Sequence, residues 1–317
     1  MRQIGVAIIG TGWCGGIRAE ACAAHPLVKS LHIAEVRPER LAEVAKATGA
    51  RTATTDYREL LGIGDIEAIY ISATPEDTHY PIAKDCLAAG KHVFLEKPIA
   101  MELPEADELI AMAKQQRLKF TIGYSQRFNP KFAYVRKSIQ TGAIGRPVSV
   151  LVSRHISRSL GKKISGRVKL SPAAMEATHD LDFVLWCLEP AKPVRVYSQQ
   201  NFGAMQAASG ASIPDTQWIT VTMDSGLAFV IGAGWSLPLY RPRFRGHRVE
   251  GNRGMLIAVA HRSTRRAPRA RSVDDASRAG AQLDDRRLAY AVVSPHGERH
   301  AAASAVAAHR ARTAAGV

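Results

Sequence analysis

Six residues near the start of the chain, Gly10-Thr11-Gly12-Trp13-Cys14-Gly15, have the spacing of a phosphate cradle. They follow the apolar run Ile4–Ile9 and precede a small-residue, helix-compatible stretch at 17–24. That order of strand, turn and helix is the context in which a G-x-G-x-x-G pattern carries meaning. Gly10 permits the tight turn, Gly12 lets the backbone approach a pyrophosphate, and Gly15 lets helix and strand pack closely, with Thr11 and Trp13 inside the loop. The helix N-terminus adds N–H groups and the positive end of its dipole. Twenty residues beyond Gly15, at the end of the second apolar run, stands Glu35. A carboxylate there binds both hydroxyls of a ribose and repels a 2′-phosphate, which favours NAD over NADP. Arg37 and Arg40 argue the other way, because an arginine pairs with a 2′-phosphate, so NADP stays open.

Two later apolar runs also end in polar residues. The run 69–73 continues through Ala73 into Thr74-Pro75-Glu76-Asp77-Thr78-His79, and the run 93–95 ends in Glu96-Lys97-Pro98. Both ends should open onto the same crevice, so Ala73, Thr74, Pro75, His79, Glu96 and Lys97 join the cofactor-binding candidates.

The elements that position these residues follow from hydrophobic periodicity. Through residue 123, short apolar runs (4–9, 31–36, 68–73, 92–95, 119–123) alternate with helical patterns (17–24, Pro38–Thr48, 78–89, 104–116). Such alternation predicts a parallel sheet covered on both faces, a doubly wound α/β fold with ligands at the carboxyl ends of its strands. After 123 come helical patterns at 129–140 and 172–188. Strand-like runs follow at 148–153, 194–198, 217–223, 227–231 and 247–250. This predicts a second, α+β domain. The expected organisation is a nucleotide-binding domain over 1–123, a substrate and oligomerisation domain over 124–260, and an atypical tail over 261–317.

The motifs GTGWCG at 10–15, ATPEDTH at 73–79, EKP at 96–98, GYSQRFNP at 123–130 and HDLD at 179–182 together resemble the Gfo/Idh/MocA oxidoreductases, the glucose–fructose oxidoreductase and inositol dehydrogenase group. The resemblance covers roughly residues 1–258. It implies NAD(P)-dependent hydride transfer to or from a sugar, inositol or related polyol. It also implies a C-terminal domain on an open, mostly antiparallel sheet that assembles homodimers or homotetramers. Lys97 matches the lysine of the EKP motif, where an ammonium polarises the reacting oxygen and relays its proton. Glu96 contacts the cofactor or fixes the loop. Pro98 is cis in many relatives and implies a backbone role. His179 matches the histidine of the substrate domain, and a neutral imidazole with a pKa near ~6.5 is a suitable proton acceptor. Asp182 matches a structural acid. Arg127 matches an arginine on the crossover, placed to touch cofactor or substrate or to form a packing salt bridge.

The sequence departs from that pattern in two places. Where many polyol dehydrogenases carry an Asp four residues before the histidine, this chain has Met175, which cannot relay a proton. Glu176, three residues before His179, shares its helix face and is the substitute candidate. Arg154 and His155 end a strand facing the expected cleft, His155 being a substrate candidate, and Trp235 reads as core. The second departure is the tail. From His261 onward there is no Lys, Phe, Ile, Trp or Met, and eleven Arg stand against five acidic residues. It reads as a disordered basic segment or as a changed reading frame.

Bulk properties narrow the classes. The net charge of +15 attracts polyanions without specificity. The basic excess lacks interleaved aromatics and any nucleic-acid motif, so no specific nucleic-acid partner is expected. No apolar run approaches the ~18 residues of a membrane span, and no leader is visible, which points to a cytoplasmic protein. The four cysteines form no CxxC or Cys/His zinc spacing, so no metal is expected, and they read as small buried side chains. Three readings result: a dehydrogenase or reductase, a non-catalytic dinucleotide-binding regulator, and an inactive truncated relative.

Overall fold

The computed structural model describes residues 2–166, 170–210, 212–237, 245–251, 254–260 and 290–293, the last three segments by their backbone. The chain divides into two compact units, Met1–Tyr124 and Ser125–Val317.

The first unit runs β1 (Ile4–Ile9), α1 (Trp13–Ala23), β2 (Val28–Ala34), α2 (Pro38–Thr48), β3 (Thr52–Thr54), α3 (Arg58–Leu61), β4 (Ile66–Ile71), α4 (His79–Ala88), β5 (His92–Leu95), α5 (Leu103–Gln115) and β6 (Phe120–Ile122). Its strands form one sheet in the order β3-β2-β1-β4-β5-β6, every pair parallel. The order reverses between β1 and β4, the switch point where doubly wound folds bind ligands. Central strands covered on both faces must be apolar throughout, and β1 is buried from Gly5 to Ile9. Two cores result. One packs Ala7, Ile9, Ile69, Ile71, Leu87, Leu95 and Leu109 on one face of the sheet, and the other packs Val6, Ile8, Leu31, Ile33 and Val44 on the opposite face. Each such fully buried aliphatic side chain contributes on the order of 1.5–3 kcal/mol. Sequence periodicity missed β3, because three residues are too few to show a period.

The second unit contains α6 (Pro130–Gln140), β7 (Pro147–Ser157), α7 (Arg158–Ser165), α8 (Thr178–Leu188), β8 (Pro193–Asn201), α9 (Ala204–Ser209), β9 (Thr216–Met223), β10 (Ala228–Leu237), β11 (Arg245–Gly251), β12 (Gly254–Ala260) and β13 (Tyr290–Val293). A π-helical turn, Ala173–Ala177, leads directly into α8. The sheet order is β13-β12-β11-β7-β10-β9-β8. Among the described strands of this sheet only β7 and β10 pair in parallel; the other pairs are antiparallel, as an open, mostly antiparallel sheet requires. Phe132 and Val135 of α6 and Phe183, Val184 and Cys187 of α8 cover one face, against Val150, Val152, Phe229 and Ile231. Trp235 is fully buried in a smaller cluster with Ile156, Ile164, Met175, Met205 and Ile213.

Among the described residues beyond 260 is one strand, β13, paired to β12. The readings made for 261–289 and 294–317 lie outside the described residues. One expectation needs correction. The cysteines are free, but they are not uniformly buried: Cys86 and Cys187 are, Cys22 is half-buried, and Cys14 is exposed in the glycine loop.

Candidate functional site

The glycine loop has the geometry that its spacing demands. Gly10 adopts φ +82°, and a Cβ there would lie 2.7 Å from the Ala73 backbone at the end of β4. At Gly15 a Cβ would lie 1.8 Å from the Gly10 carbonyl oxygen, so α1 can leave the sheet at this angle only with glycine. Gly12 is different. It is the N-cap of α1, no side chain caps the helix, and a Cβ at Gly12 would meet nothing within 4 Å. The first turn of α1 also carries no acidic residue. A helix start with no side-chain cap, open space at Gly12 and a first turn without an acid fit a pyrophosphate. Trp13, 72% exposed, flanks that space. Arg40 braces the loop from α2: its Nε donates to the Thr11 carbonyl at 2.9 Å, while Nη1 pairs with Glu43 at 2.8 Å.

Glu35 follows β2 and is 5% exposed. Its Oε2 accepts from the Thr11 backbone N–H at 2.8 Å and the Thr11 hydroxyl at 2.9 Å. Its Oε1 accepts from Arg37 Nε at 2.8 Å and from the Arg37 backbone N–H at 3.2 Å. Burial alone would push this carboxyl up, but the bonds from Arg37 and Thr11 outweigh burial and hold it at about 2. Glu35 therefore already fastens the loop to β2 while remaining an anion, and Arg37 is spent on Glu35 rather than left to seek a phosphate.

The ends of β4 and β5 are tied together by His79. Its Nδ1 lies 2.6 Å from the Pro98 carbonyl and its Nε2 lies 3.1 Å from the Ala73 carbonyl. The ring is 1% exposed and spaces the two strand-end loops. Thr74 and Pro75 remain exposed, and Lys97 is half-buried beside the cis Lys97–Pro98 peptide. Glu96 pairs with Arg18 of α1, so of its two expected roles the structure exhibits the loop-fixing one.

In the second unit, His179 stands in the first turn of α8, half-buried. Gln126, its amide oriented with nitrogen toward the His179 carbonyl (2.9 Å), turns its oxygen toward Arg154 Nη2 (2.7 Å). Arg154 is buried and pairs with Asp180 through both Nε and Nη2, with Glu176 3.9 Å from its Nη1. Met175 is 5% exposed, packed in the Trp235 cluster. Arg127 Nε and Nη2 grip Asp182 at 2.9 and 2.6 Å, and its guanidinium lies over Trp186, so it makes the packing salt bridge. The pair Arg154 and His155 does not face one cleft, because neighbours on a strand point to opposite faces. Arg154 turns to the α8 side, whereas His155 stands on the other face near Trp218, with ring centroids 6.1 Å apart. His155 is thereby removed from the face that carries His179.

Sequence reasoning missed Arg18, Gln126 and Asp180. Asp180 adjoins His179, but its buried partner is 26 positions away. Arg18 lies one helical turn beyond Gly15 and only the fold reveals its partner. Among the described residues, no group of three His, Cys, Asp or Glu is arranged to hold a metal ion, and no helix is long and apolar enough to cross a membrane.

Comparison with known proteins accords with this geometry. A family model described as an oxidoreductase family with an NAD-binding Rossmann fold matches residues 4–124. An uncharacterized oxidoreductase of Bacillus subtilis, YrbE, is 28% identical over 232 residues, 73% of this chain and 67% of that protein. Levoglucosan dehydrogenase of Pseudarthrobacter phenanthrenivorans is 34% identical over 158 residues, 47% of this chain and 40% of that protein. A crystal structure of scyllo-inositol dehydrogenase from Lactobacillus casei, with bound NAD(H) and scyllo-inositol, superposes with a TM-score of 0.73 at 22% identity. That match covers 81% of this chain and 76% of the other. At that identity the likeness is one of fold. The chain thus spans between two fifths and two thirds of these two curated relatives.

Proposed function

We propose that this chain, whose residues 4–124 match the model of an oxidoreductase family with an NAD-binding Rossmann fold, is an NAD-dependent dehydrogenase acting on a secondary hydroxyl of a sugar, inositol or related polyol. The observation that carries the reading is the uncapped, acid-free N-terminus of α1 at an open Gly12, in the same unit as the strand-end Lys97. Nicotinamide, when bound, supplies the hydride acceptor. Gly10, Gly12, Trp13 and the first turn of α1 hold the pyrophosphate. Ala73, Thr74 and Pro75 line the strand end beside them. Glu35, kept anionic, excludes a 2′-phosphate and so selects NAD. Lys97 donates a hydrogen bond to the substrate oxygen and lowers the cost of its losing a proton. Within the second unit, His179 is the candidate general base, its helix held by Gln126 and by the Arg154–Asp180 pair. The dimeric or tetrameric assembly and the polyol itself belong to this proposal.

The test is titration with NADH and then NADPH, read by quenching of tryptophan fluorescence, because Trp13 lies in the loop. It is followed by NADH formation at 340 nm with a panel of inositols and aldoses. Saturable quenching that prefers NADH, with turnover of at least one polyol, is expected. A folded protein that binds neither nucleotide overturns the reading. A second reading, a dinucleotide-binding regulator, is favoured by Met175, an apolar residue buried where a relay acid would stand. NADH binding without turnover of any substrate would select it.

A further inference from the structure

We infer that Arg18 is a positioning residue for the reaction: through Glu96 it registers the loop carrying Lys97 against the phosphate-binding helix. This rests on the proposed role of Lys97. Arg18 lies on α1, one turn after Gly15, and its Nη2 pairs with Oε1 of Glu96, the residue immediately before Lys97. The two side chains are 26% and 14% exposed, so the pair is shielded from much of the solvent that weakens surface ion pairs. The guanidinium lies over the Phe94 ring, 5.2 Å from its centroid, and Phe94 rests on Tyr70 at 4.5 Å. Arg18 is thereby fixed on β5, two residues ahead of the carboxylate that it holds.

The other side of Glu96 is equally confined. A Cβ at Gly123, just past β6, would lie 2.8 Å from Oε2. The carboxylate therefore sits wedged between α1 and the end of β6. The Glu96 backbone N–H donates to Ile71 at 2.9 Å, and Gly123 N–H donates to Leu95 at 2.7 Å, closing the wedge from the sheet. Glu96 is the acidic side chain that pairs with Arg18 among the described residues. Beyond Lys97, the Pro98 carbonyl is held by His79. Lys97 is thus anchored on both sides, once to α1 and once to α4. Any displacement of α1 by an occupant at its N-terminus is transmitted to the lysine loop through Arg18 and Glu96.

The test uses the full chain and the variants Arg18→Met, Arg18→Lys and Glu96→Gln. Three quantities are measured: the NADH dissociation constant by fluorescence, kcat with the best polyol, and the pH midpoint for acetylation of Lys97 by trace acetic anhydride, read by mass spectrometry. Cys22 and Tyr70 are the other titratable groups facing Arg18, and all three variants retain them. In Arg18→Met, NADH affinity is expected to hold while kcat falls about 100-fold, as for a misplaced catalytic group. The Lys97 midpoint is expected to rise, because Glu96 loses its cation, and to fall in Glu96→Gln, which leaves the Arg18 charge unbalanced. Arg18→Lys should restore part of kcat. If both Arg18→Met and Glu96→Gln lower only the melting temperature, leaving kcat and the Lys97 midpoint at wild-type values, the inference is overturned. Should Arg18→Met fail to fold, Arg18→Lys and Glu96→Gln decide it by the same readouts. A wild-type chain that neither binds NADH nor turns over substrate overturns the proposed function instead, while the acetylation midpoint still decides whether Arg18 acts on Lys97.

Discussion

Single side chains in this protein do their work in small sets, and their replacement should separate chemistry from support. Lys97→Met is expected to lower kcat/KM by about 10²–10⁴ while NADH still quenches Trp13, since the lysine acts on the substrate oxygen and not on the pyrophosphate. Met175→Asp is a less obvious case. It places an acid where many polyol dehydrogenases carry one, yet Met175 packs with Trp235, Ile164 and Met205 in an apolar cluster. A carboxylate buried among apolar side chains is costly, so the variant should lose thermal stability and gain no activity, as a melting curve and a rate assay would reveal. Glu35 sets an acid limit. Its carboxyl is held at about 2 against an ordinary 4.5. The stabilisation is therefore present above pH 4.5 and is lost as pH falls toward 2. Melting temperature against pH should drop across that window in the wild type and be flatter in Glu35→Gln. The loop glycines and Glu35 were legible because their spacing after a strand has a local meaning, while Lys97 and His179 entered as candidates through motifs shared with a family. The partners of Arg18 and Arg154 were not legible, because a partner 78 or 26 positions away leaves no mark on the neighbouring sequence.

At the scale of elements, the glycine loop makes two kinds of demand, and alanine distinguishes them. Gly15→Ala forces a Cβ against the Gly10 carbonyl, so α1 must move and both stability and NADH binding should fall. Gly12→Ala meets open space and should fold normally, with its melting temperature kept and its NADH affinity reduced by the methyl group standing where a phosphate would lie. Calorimetry beside fluorescence titration separates the two. Helices α2, α5 and the α8 region were readable from their apolar spacing and N-terminal prolines. The π-helical turn at Ala173–Ala177 was not, since one widened turn shifts the face of a helix without altering its composition. Glu176 lies on that turn, with its carboxylate 3.9 Å from Arg154 Nη1. Strand β7 extends to Ser157, four residues beyond the apolar run, because Arg154 is sheltered by Asp180 and can be buried in a strand.

For the whole molecule, two units with separate cores predict separable folding. A fragment of residues 1–124 should fold by circular dichroism and bind NADH with nearly the affinity of the full chain, because the glycine loop, Glu35 and Arg40 all lie within it. A fragment that stays unfolded would refute this. The doubly wound half was legible in sequence because most of its strands pair with the next strand in the chain across a helix, β1 with β4 being the exception. The second sheet was legible only as a class, since the pairing of β7 with β10 and β11 joins segments far apart, and no local pattern encodes it. That pairing also has a consequence during synthesis. At about 5–20 residues per second, a ribosome needs several seconds after completing β7 before both neighbours exist. Until β10 is made at residue 237 the strand that will lie at the centre of the sheet has two unsatisfied edges, and until β11 is made at residue 251 it has one, while the nucleotide-binding half is already complete. The nascent chain is then most exposed between residues 157 and 251, and chaperone demand should concentrate there.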